Sequence, residues 1–302
     1  MLTRRRFIAI SAALLPALAP VPVGARSGTL HVETGIALGA QVTLRLDHPD
    51  APRLAALAMA EIRRLEGIFS LYRDESALSV LNRDGRLEAP PFELLDCLSL
   101  AGAVHAASGG RFDPTVQPLW RAEARAMERG VPLTDEERAG IRALVGWSGV
   151  RLSPQAITLR PGMALTLNGI AQGFIADRVA DLLAREGLTR ALIDTGEMIA
   201  LPEGEWPVEL AHGGSLPLRN RALATSAPMG MTFGGEGGGS HILDPRSGRP
   251  LQPGWRSVSV SAPSAALADA LSTAACLTKV KAEALALCQT FAATTLEAAI
   301  PT

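Results

Sequence analysis

The chain has 302 residues, 47% apolar, 20% charged and 4% aromatic, with Tyr72 its one tyrosine. That length and balance suit a globular protein with a large buried core and exclude a disordered, collagen-like or disulfide-scaffold chain. Formal charge is −1; residues 1–25 hold Arg4, Arg5 and Arg6 and no acid, so the remainder sets 26 basic side chains against 30 acidic ones. A mildly acidic chain without a long basic run has no electrostatic grip on nucleic acid or an anionic membrane surface, which leaves small molecules and proteins as partners.

Thr3-Arg4-Arg5-Arg6-Phe7-Ile8 reads as a twin-arginine export signal, followed by an apolar stretch from Phe7 to Ala19 and a small-residue cleavage site at Val23-Gly24-Ala25. Roughly 13 apolar residues fall short of the ~20 a membrane-spanning helix needs, so no direct membrane span is expected. The plainer alternative is a basic N-terminal helix of a cytosolic protein. The export reading divides the chain into a signal over 1–25 and one domain over 26–302 and sends the mature protein to the periplasm. No cysteine lies near the cleavage point to carry a lipid anchor.

Residues 29–46 alternate loosely and read as a hairpin around Gly35 and Gly39. From Asp50, a cap candidate with Pro52 in the first turn, a helix runs to about Gly67 with Leu54, Leu57, Ala58, Ile62 and Leu65 on one face. Phe92–Ala107 is a second helix, closed by Gly109-Gly110. Thr134-Asp135-Glu136-Glu137 is a capping box opening a third, and Val150–Leu159 reads as a hairpin. A fourth helix spans Asn168–Glu186 with Ile170, Phe174, Val179 and Leu182 inward. Strands follow at Ala191–Leu201, Pro207–Ala211, Leu216–Thr225 and Arg256–Ala262, then helices at Ser264–Lys279 and Glu283–Ala293. Met229–Ser240 is glycine-dense and reads as a mobile loop. These glycines neither follow a strand nor open a helix, so a dinucleotide-binding Rossmann unit is excluded. Cys97, Cys276 and Cys288 are odd in number and lack metal-type spacing, which argues for buried small hydrophobes rather than a disulfide framework or zinc site. The expected class is α+β, mixed helices and antiparallel sheets in a single domain.

Three segments are candidates for chemistry. Ser108-Gly109-Gly110-Arg111-Phe112-Asp113-Pro114-Thr115 is a helix end and tight turn whose backbone could approach a ligand closely; equally, Asp113 could simply close an Asx-turn. In Ser240-His241-Ile242-Leu243-Asp244-Pro245, His241 could act as a general base oriented by Asp244, or sit idle in a turn. In Ala268-Asp269-Ala270-Leu271-Ser272-Thr273, Asp269 and Thr273 stand at i and i+4, so both oxygens leave one helix face; that pair suits Mg²⁺, and it also suits a solvated polar face.

Taken in order, these segments resemble the ApbE family of FAD:protein FMN transferases over nearly the whole mature chain. The resemblance includes Phe69-Ser70-Leu71-Tyr72-Arg73-Asp74-Glu75-Ser76 with Leu81-Asn82, the 109–115 turn, and Leu167-Asn168-Gly169-Ile170-Ala171-Gln172-Gly173-Phe174-Ile175-Ala176-Asp177. It continues through Asp194-Thr195-Gly196-Glu197, Ala224-Thr225-Ser226, and the 240–245 and 268–273 segments. It implies a single ApbE-like (T-fold-like) domain. It also implies Mg²⁺ held by Asp269, Thr273 and a backbone oxygen at Gly169, with FAD as substrate. Tyr72, Arg111, Phe112, Asp113, Thr166, Gln172 and Leu243 would surround the flavin and adenosine, and His241 would move a proton. A Ser or Thr of an exported or membrane-anchored acceptor flavoprotein would attack the FMN phosphorus and release AMP.

Family members usually carry an acid where Thr166 stands, Lys or Glu where Gln172 stands, Gly-Gly-Glu where Thr195-Gly196-Glu197 stands, and Thr-Ser-Gly where Thr225-Ser226-Ala227 stands. A divergent subgroup serving one dedicated target fits these departures. The accessory flavin transferase of nitrous oxide respiration (NosX-type) is such a group, and its acceptor would be a NosR-type regulator. Two further readings compete: an FAD pyrophosphatase yielding FMN and AMP, and a catalytically inactive flavin-binding maturation factor.

Overall fold

The computed structural model describes residues 30–211, 213–233 and 238–302; the export signal read at 1–25, and residues 234–237 of the glycine-dense loop, lie outside the described residues. The first alternating segments form β1 (His31–Ala37) and β2 (Ala40–Leu46), paired antiparallel across a turn at Leu38-Gly39. Gly39 takes φ 80° there. Gly35 is not a turn residue: it faces Val42 within the ladder, and a β-carbon on it would lie 2.3 Å from Met59 Cε.

Five more strands, β3 (Ala191–Asp194), β4 (Met198–Ala200), β5 (Arg221–Ser226), β6 (Trp255–Ala262) and β7 (Thr295–Pro301), complete a seven-stranded sheet. Its strands follow chain order from edge to edge, and every pair is antiparallel. Two segments expected as single strands are broken. The 191–201 segment folds back at Thr195-Gly196-Glu197, where Gly196 has φ 103°, and the 216–225 segment turns at Asn220, φ 46°. Residues 206–209 and 215–218 pair as a separate hairpin. Trp206, Val208 and Leu218 from that hairpin cover Leu192, Ala200 and Leu223 of the sheet.

Eight helices occur among the described residues: α1 (Ala51–Phe69), α2 (Ala77–Asp84), α3 (Phe92–Ala107), α4 (Gln117–Arg129), α5 (Asp135–Arg142), α6 (Ala171–Arg185), α7 (Ala265–Cys276) and α8 (Lys281–Gln289). Helix α7 lies on β5 and β6, α6 packs on α7, and α1 packs on α6 and β1. Every residue of α7 except Thr273 is buried; an apolar helix without a polar face has no side to turn to water, and its small side chains let α6 and the sheet approach closely. The capping box at Thr134 and Glu137 forms with both reciprocal bonds. Residues 150–152 and 156–159 pair as expected and are joined by 86–88.

The differences are local. Asp50 does not cap α1; its carboxylate pairs with Arg53 instead. Leu57 points outward, and at the far end of α6 Leu183, not Leu182, is the fully buried residue. Helix α6 starts at Ala171 rather than Asn168: residues 168–170 form a turn in which the Leu167 carbonyl accepts the Ile170 amide at 3.0 Å and the Ala171 amide at 2.7 Å. Just ahead of it Asn82 donates to the Leu165 carbonyl at 2.8 Å and accepts the Leu165 amide at 2.6 Å, as a neighbouring strand would. The glycine-dense stretch contains a short ladder, Thr232 facing Ser240 and Phe233 facing Gly239. All three cysteines are buried and unpaired. No helix of the described residues is long and apolar enough to cross a membrane.

Candidate active site

A cleft of about 340 Å³ opens where the start of α6, the middle of α7, the 111–116 turn and the 225–231 and 241–245 segments converge. Tyr72, Arg111, Phe112, Asp113, Thr166, Gly169, Gln172, His241, Leu243, Asp269 and Thr273 all line it. Asp244 does not.

Asp269 is 3% exposed, which rules out the solvated-face alternative for this helix. Burial, together with the nearby Asp177 charge, pushes its carboxyl well above the ordinary range, opposed by a backbone hydrogen bond from Gly173. Its Oδ2 is buried with no hydrogen-bond partner. Glu197, which also lines the cleft, is raised by burial and by the Asp269 charge, while the Thr225 amide donates to it at 3.3 Å. Two buried acids near one another, with an unpartnered oxygen between protein and cleft, make a site that lacks positive charge. Thr273 adds a hydroxyl on the same helix face. The 166–170 loop brings its main chain against that hydroxyl: a β-carbon at Gly169 would fall 3.0 Å from Thr273 Oγ1.

The two helices that frame this point are tightly joined. Asp177 of α6 accepts the Ala265 amide at 2.7 Å and the Ala266 amide at 2.9 Å, capping α7 from outside its own chain segment. Burial raises the Asp177 carboxyl to about 7 against those two bonds. Gly173 passes so close that a β-carbon would sit 2.3 Å from the Ala265 carbonyl oxygen.

In the 108–116 turn, Asp113 closes the Asx-turn, accepting the Thr115 amide at 2.9 Å and the Thr115 hydroxyl at 2.6 Å. The Phe112 carbonyl accepts from His105 Nδ1 at 2.9 Å. Arg111 reaches the Ser108 carbonyl at 3.1 Å and Glu283 at 3.2 Å. Asp113 therefore shapes the cleft wall while its carboxylate serves the turn.

His241 is held by the Met231 carbonyl, 2.8 Å from Nδ1. A carbonyl only accepts, so Nδ1 carries the proton and Nε2 of the neutral ring holds a lone pair. Burial lowers the ring's pKa, against the Met231 and Pro228 carbonyls, which favours that neutral form. The expected orienting role of Asp244 is corrected here. Its carboxylate turns to Arg246, accepting Nε at 2.9 Å, Nη2 at 3.1 Å and the Arg246 amide at 3.0 Å.

Residues given no individual role from sequence also matter. Glu197, Asp177, Asn82 and Ser226 sit inside motifs that were legible as polar residues in apolar surroundings, but periodicity alone does not tell a buried clamp from a surface polar group.

The family model described as the ApbE family matches residues 38–299. An FAD:protein FMN transferase of Klebsiella pneumoniae (strain 342) is 31% identical over 245 residues, 75% of this chain and 76% of that protein. One from Treponema pallidum (strain Nichols) is 30% identical over 250 residues, 70% of this chain and 68% of that protein. The flavinyl transferase ApbE of Pseudomonas stutzeri, solved in its apo form, superposes with a TM-score of 0.74 at 26% identity, covering 87% of this chain and 89% of that one. With a family match over residues 38–299, which take in every residue lining the cleft, this chain belongs to the ApbE family.

Proposed function

We propose that this chain is an exported, Mg²⁺-dependent FAD:protein FMN transferase that attaches FMN by a phosphoester bond to a Ser or Thr of an acceptor flavoprotein and releases AMP. The observation that carries the reading is the buried, unpartnered Oδ2 of Asp269 one helical turn from the Thr273 hydroxyl, in a cleft that also holds His241. A carboxylate, an alcohol and a main-chain oxygen are hard donors, which suit Mg²⁺ and not zinc or copper. Among the described residues no cluster of three or more His, Cys, Asp or Glu competes as a metal site.

Asp269, Thr273 and the main-chain oxygen at Gly169 would hold the ion. Bound there, Mg²⁺ supplies positive charge to the FAD diphosphate and to the oxygen that leaves with AMP. The chain's own residues do the rest. Nε2 of His241 takes the proton of the acceptor hydroxyl as that oxygen bonds to the FMN phosphorus. Arg111, Phe112, Tyr72 and Leu243 line the space for the flavin and adenosine, and the closed 108–116 turn keeps that wall fixed. Thr166 and Gln172 both line the cleft, and Gln172 lies against Gly196, so the departures from the family pattern are within reach of the nucleotide and leave Asp269, Thr273 and His241 in place.

Export rests on Arg4-Arg5-Arg6 and the apolar stretch behind them. A NosR-type regulator is the acceptor to try first. Co-expression with a candidate exported acceptor, followed by a denaturing gel, should show flavin fluorescence on the acceptor band, lost with Asp269→Ala and, through failed export, with Arg4→Lys/Arg5→Lys. Steady release of AMP and FMN without any acceptor would instead mark a pyrophosphatase, and bound FAD without transfer a maturation factor.

A further inference from the structure

The hydroxyls behind Thr273 form a chain whose direction is fixed at one end. Ser272 Oγ donates to the Asp269 carbonyl of its own helix at 3.0 Å. A serine hydroxyl has one proton, so in its 2.7 Å contact with Ser226 Oγ, Ser272 accepts and Ser226 donates. The Ser226 proton is then committed as well. In the 3.2 Å contact between Ser226 Oγ and Thr273 Oγ1, the proton must come from Thr273. Thr273 Oγ1 is thereby left facing the cleft with lone pairs and without a proton to offer.

This arrangement matches the other oxygen of the site. Asp269 Oδ2 is an acceptor with no donor. Thr273 Oγ1, one turn along the same helix, is turned into a second acceptor by the two serines. Once Asp269 is ionised, a pair of acceptors with no proton between them is repulsive unless a cation or a pair of donors fills the gap, and a hydroxyl that ligates a cation must send its proton elsewhere. Ser226 comes from β5 and Ser272 from α7, so the chain also crosses the strand–helix contact on which the position of Thr273 depends.

We infer that Ser226 and Ser272 are positioning residues for the cation site: they draw the Thr273 proton into the protein and hold Oγ1 as a ligand-ready acceptor. The inference rests on the proposed magnesium reading. Ser272 is fully buried and Ser226 also lines the cleft; in this reading both act on the cation through Thr273.

The test uses the full mature chain, stripped of metal and titrated with Mn²⁺ at saturating FAD, with free Mn²⁺ followed by electron paramagnetic resonance. Wild type, Asp269→Ala, Ser226→Ala, Ser272→Ala and the Ser226→Ala/Ser272→Ala double variant are compared. Both serine variants should bind Mn²⁺ about tenfold more weakly than wild type, the usual scale for an outer partner of a metal ligand. Because the serines act in series, the double variant should be no weaker than Ser226→Ala alone. Metal-free FAD binding, read by quenching of flavin fluorescence, should match wild type, and KM for Mg²⁺ should rise while KM for FAD stays constant. Wild-type Mn²⁺ affinity in either serine variant overturns the inference, as does a parallel loss of metal-free FAD binding, which marks collapse of the cleft wall. Failure of the underlying magnesium reading looks different: wild type and Asp269→Ala would then bind Mn²⁺ equally.

Discussion

A β-carbon on Gly169 would stand 3.0 Å from Thr273 Oγ1 and 3.3 Å from its Cγ2, with Phe112 Cε2 3.4 Å away on another side. The main chain of the 166–170 loop and the hydroxyl of α7 therefore share one small space. Gly169 does not have a positive φ, so alanine is allowed by the backbone and the substitution tests the space alone. Gly169→Ala should cost about 1–3 kcal/mol by overpacking and cut AMP release at least tenfold. Melting curves and a turnover assay at saturating Mg²⁺ check both halves; unchanged turnover would remove Gly169 from the site.

Asp269→Asn separates stability from function. In the fold the Asp269 carboxyl ionises well above its unfolded range, so the folded state keeps a proton that the unfolded chain gives up near pH 4. The metal-free wild type therefore loses stability as pH climbs from about 4 toward the folded-state value, and the amide variant loses less, its remaining slope coming from the raised Asp177 and Glu197 carboxyls. In EDTA, Asp269→Asn should be no more stable than wild type near pH 4 and more stable at alkaline pH, by about 1–3 kcal/mol. Excess Mg²⁺ should raise the wild-type Tm and leave the variant's unchanged. A variant less stable than wild type at every pH contradicts the picture of an uncompensated buried acid.

The parts of the molecule that sequence resolves are those decided locally. Thr134 and Glu137 lie three apart and cap their helix wherever it sits, and the small apolar run of α7 reads as a helix on composition alone, although the burial of its Asp269 face does not. Helix α4 is missed because charged Arg121, Glu123, Arg125, Glu128 and Arg129 mask its short apolar stripe. Helix α2 had readable ends, Ser76 capping the Ser79 amide and Gly85 in the left-handed region. In the site, spacing puts Asp269 and Thr273 on one face because i, i+4 geometry is intrinsic to a helix. The partner of His241 is not local. It is the Met231 carbonyl, across the glycine-dense loop, whereas nearby Asp244 is taken by Arg246. The link from Asp177 to α7 spans 88 positions, and no local pattern encodes it.

The environment of His241 fixes where activity should fall with acid. Burial lowers its pKa, and only the neutral ring has Nε2 free to accept a proton. Activity should therefore be flat through neutrality, and the acid limb of kcat/KM should lie below the usual histidine value of about 6.5. His241→Asn should lower kcat by about 10²–10⁴-fold and abolish that limb, with FAD binding preserved. A limb at or above 6.5, or one that survives the substitution, assigns the proton transfer to another group.

Asp177 and Ser264 both cap α7, and they should behave differently. Ser264 accepts the Leu267 amide at 3.3 Å from within its own segment, so Ser264→Ala should cost about 1 kcal/mol of stability and nothing else. Asp177 binds the Ala265 and Ala266 amides from α6, with one carboxylate oxygen for each. An asparagine offers one acceptor and sets its NH₂ against the other amide, leaving a buried donor unmet at about 1–3 kcal/mol. That cost falls at the α6–α7 crossing, where Gly173 leaves no slack against Ala265, so relief should come by the helices shifting apart. Since the 166–170 loop runs into α6 while Asp269 and Thr273 ride on α7, Asp177→Asn should raise KM for Mg²⁺ as well as lower Tm. Equal effects of the two cap variants on KM for Mg²⁺ would show that the crossing does not set the spacing of the cation's oxygens.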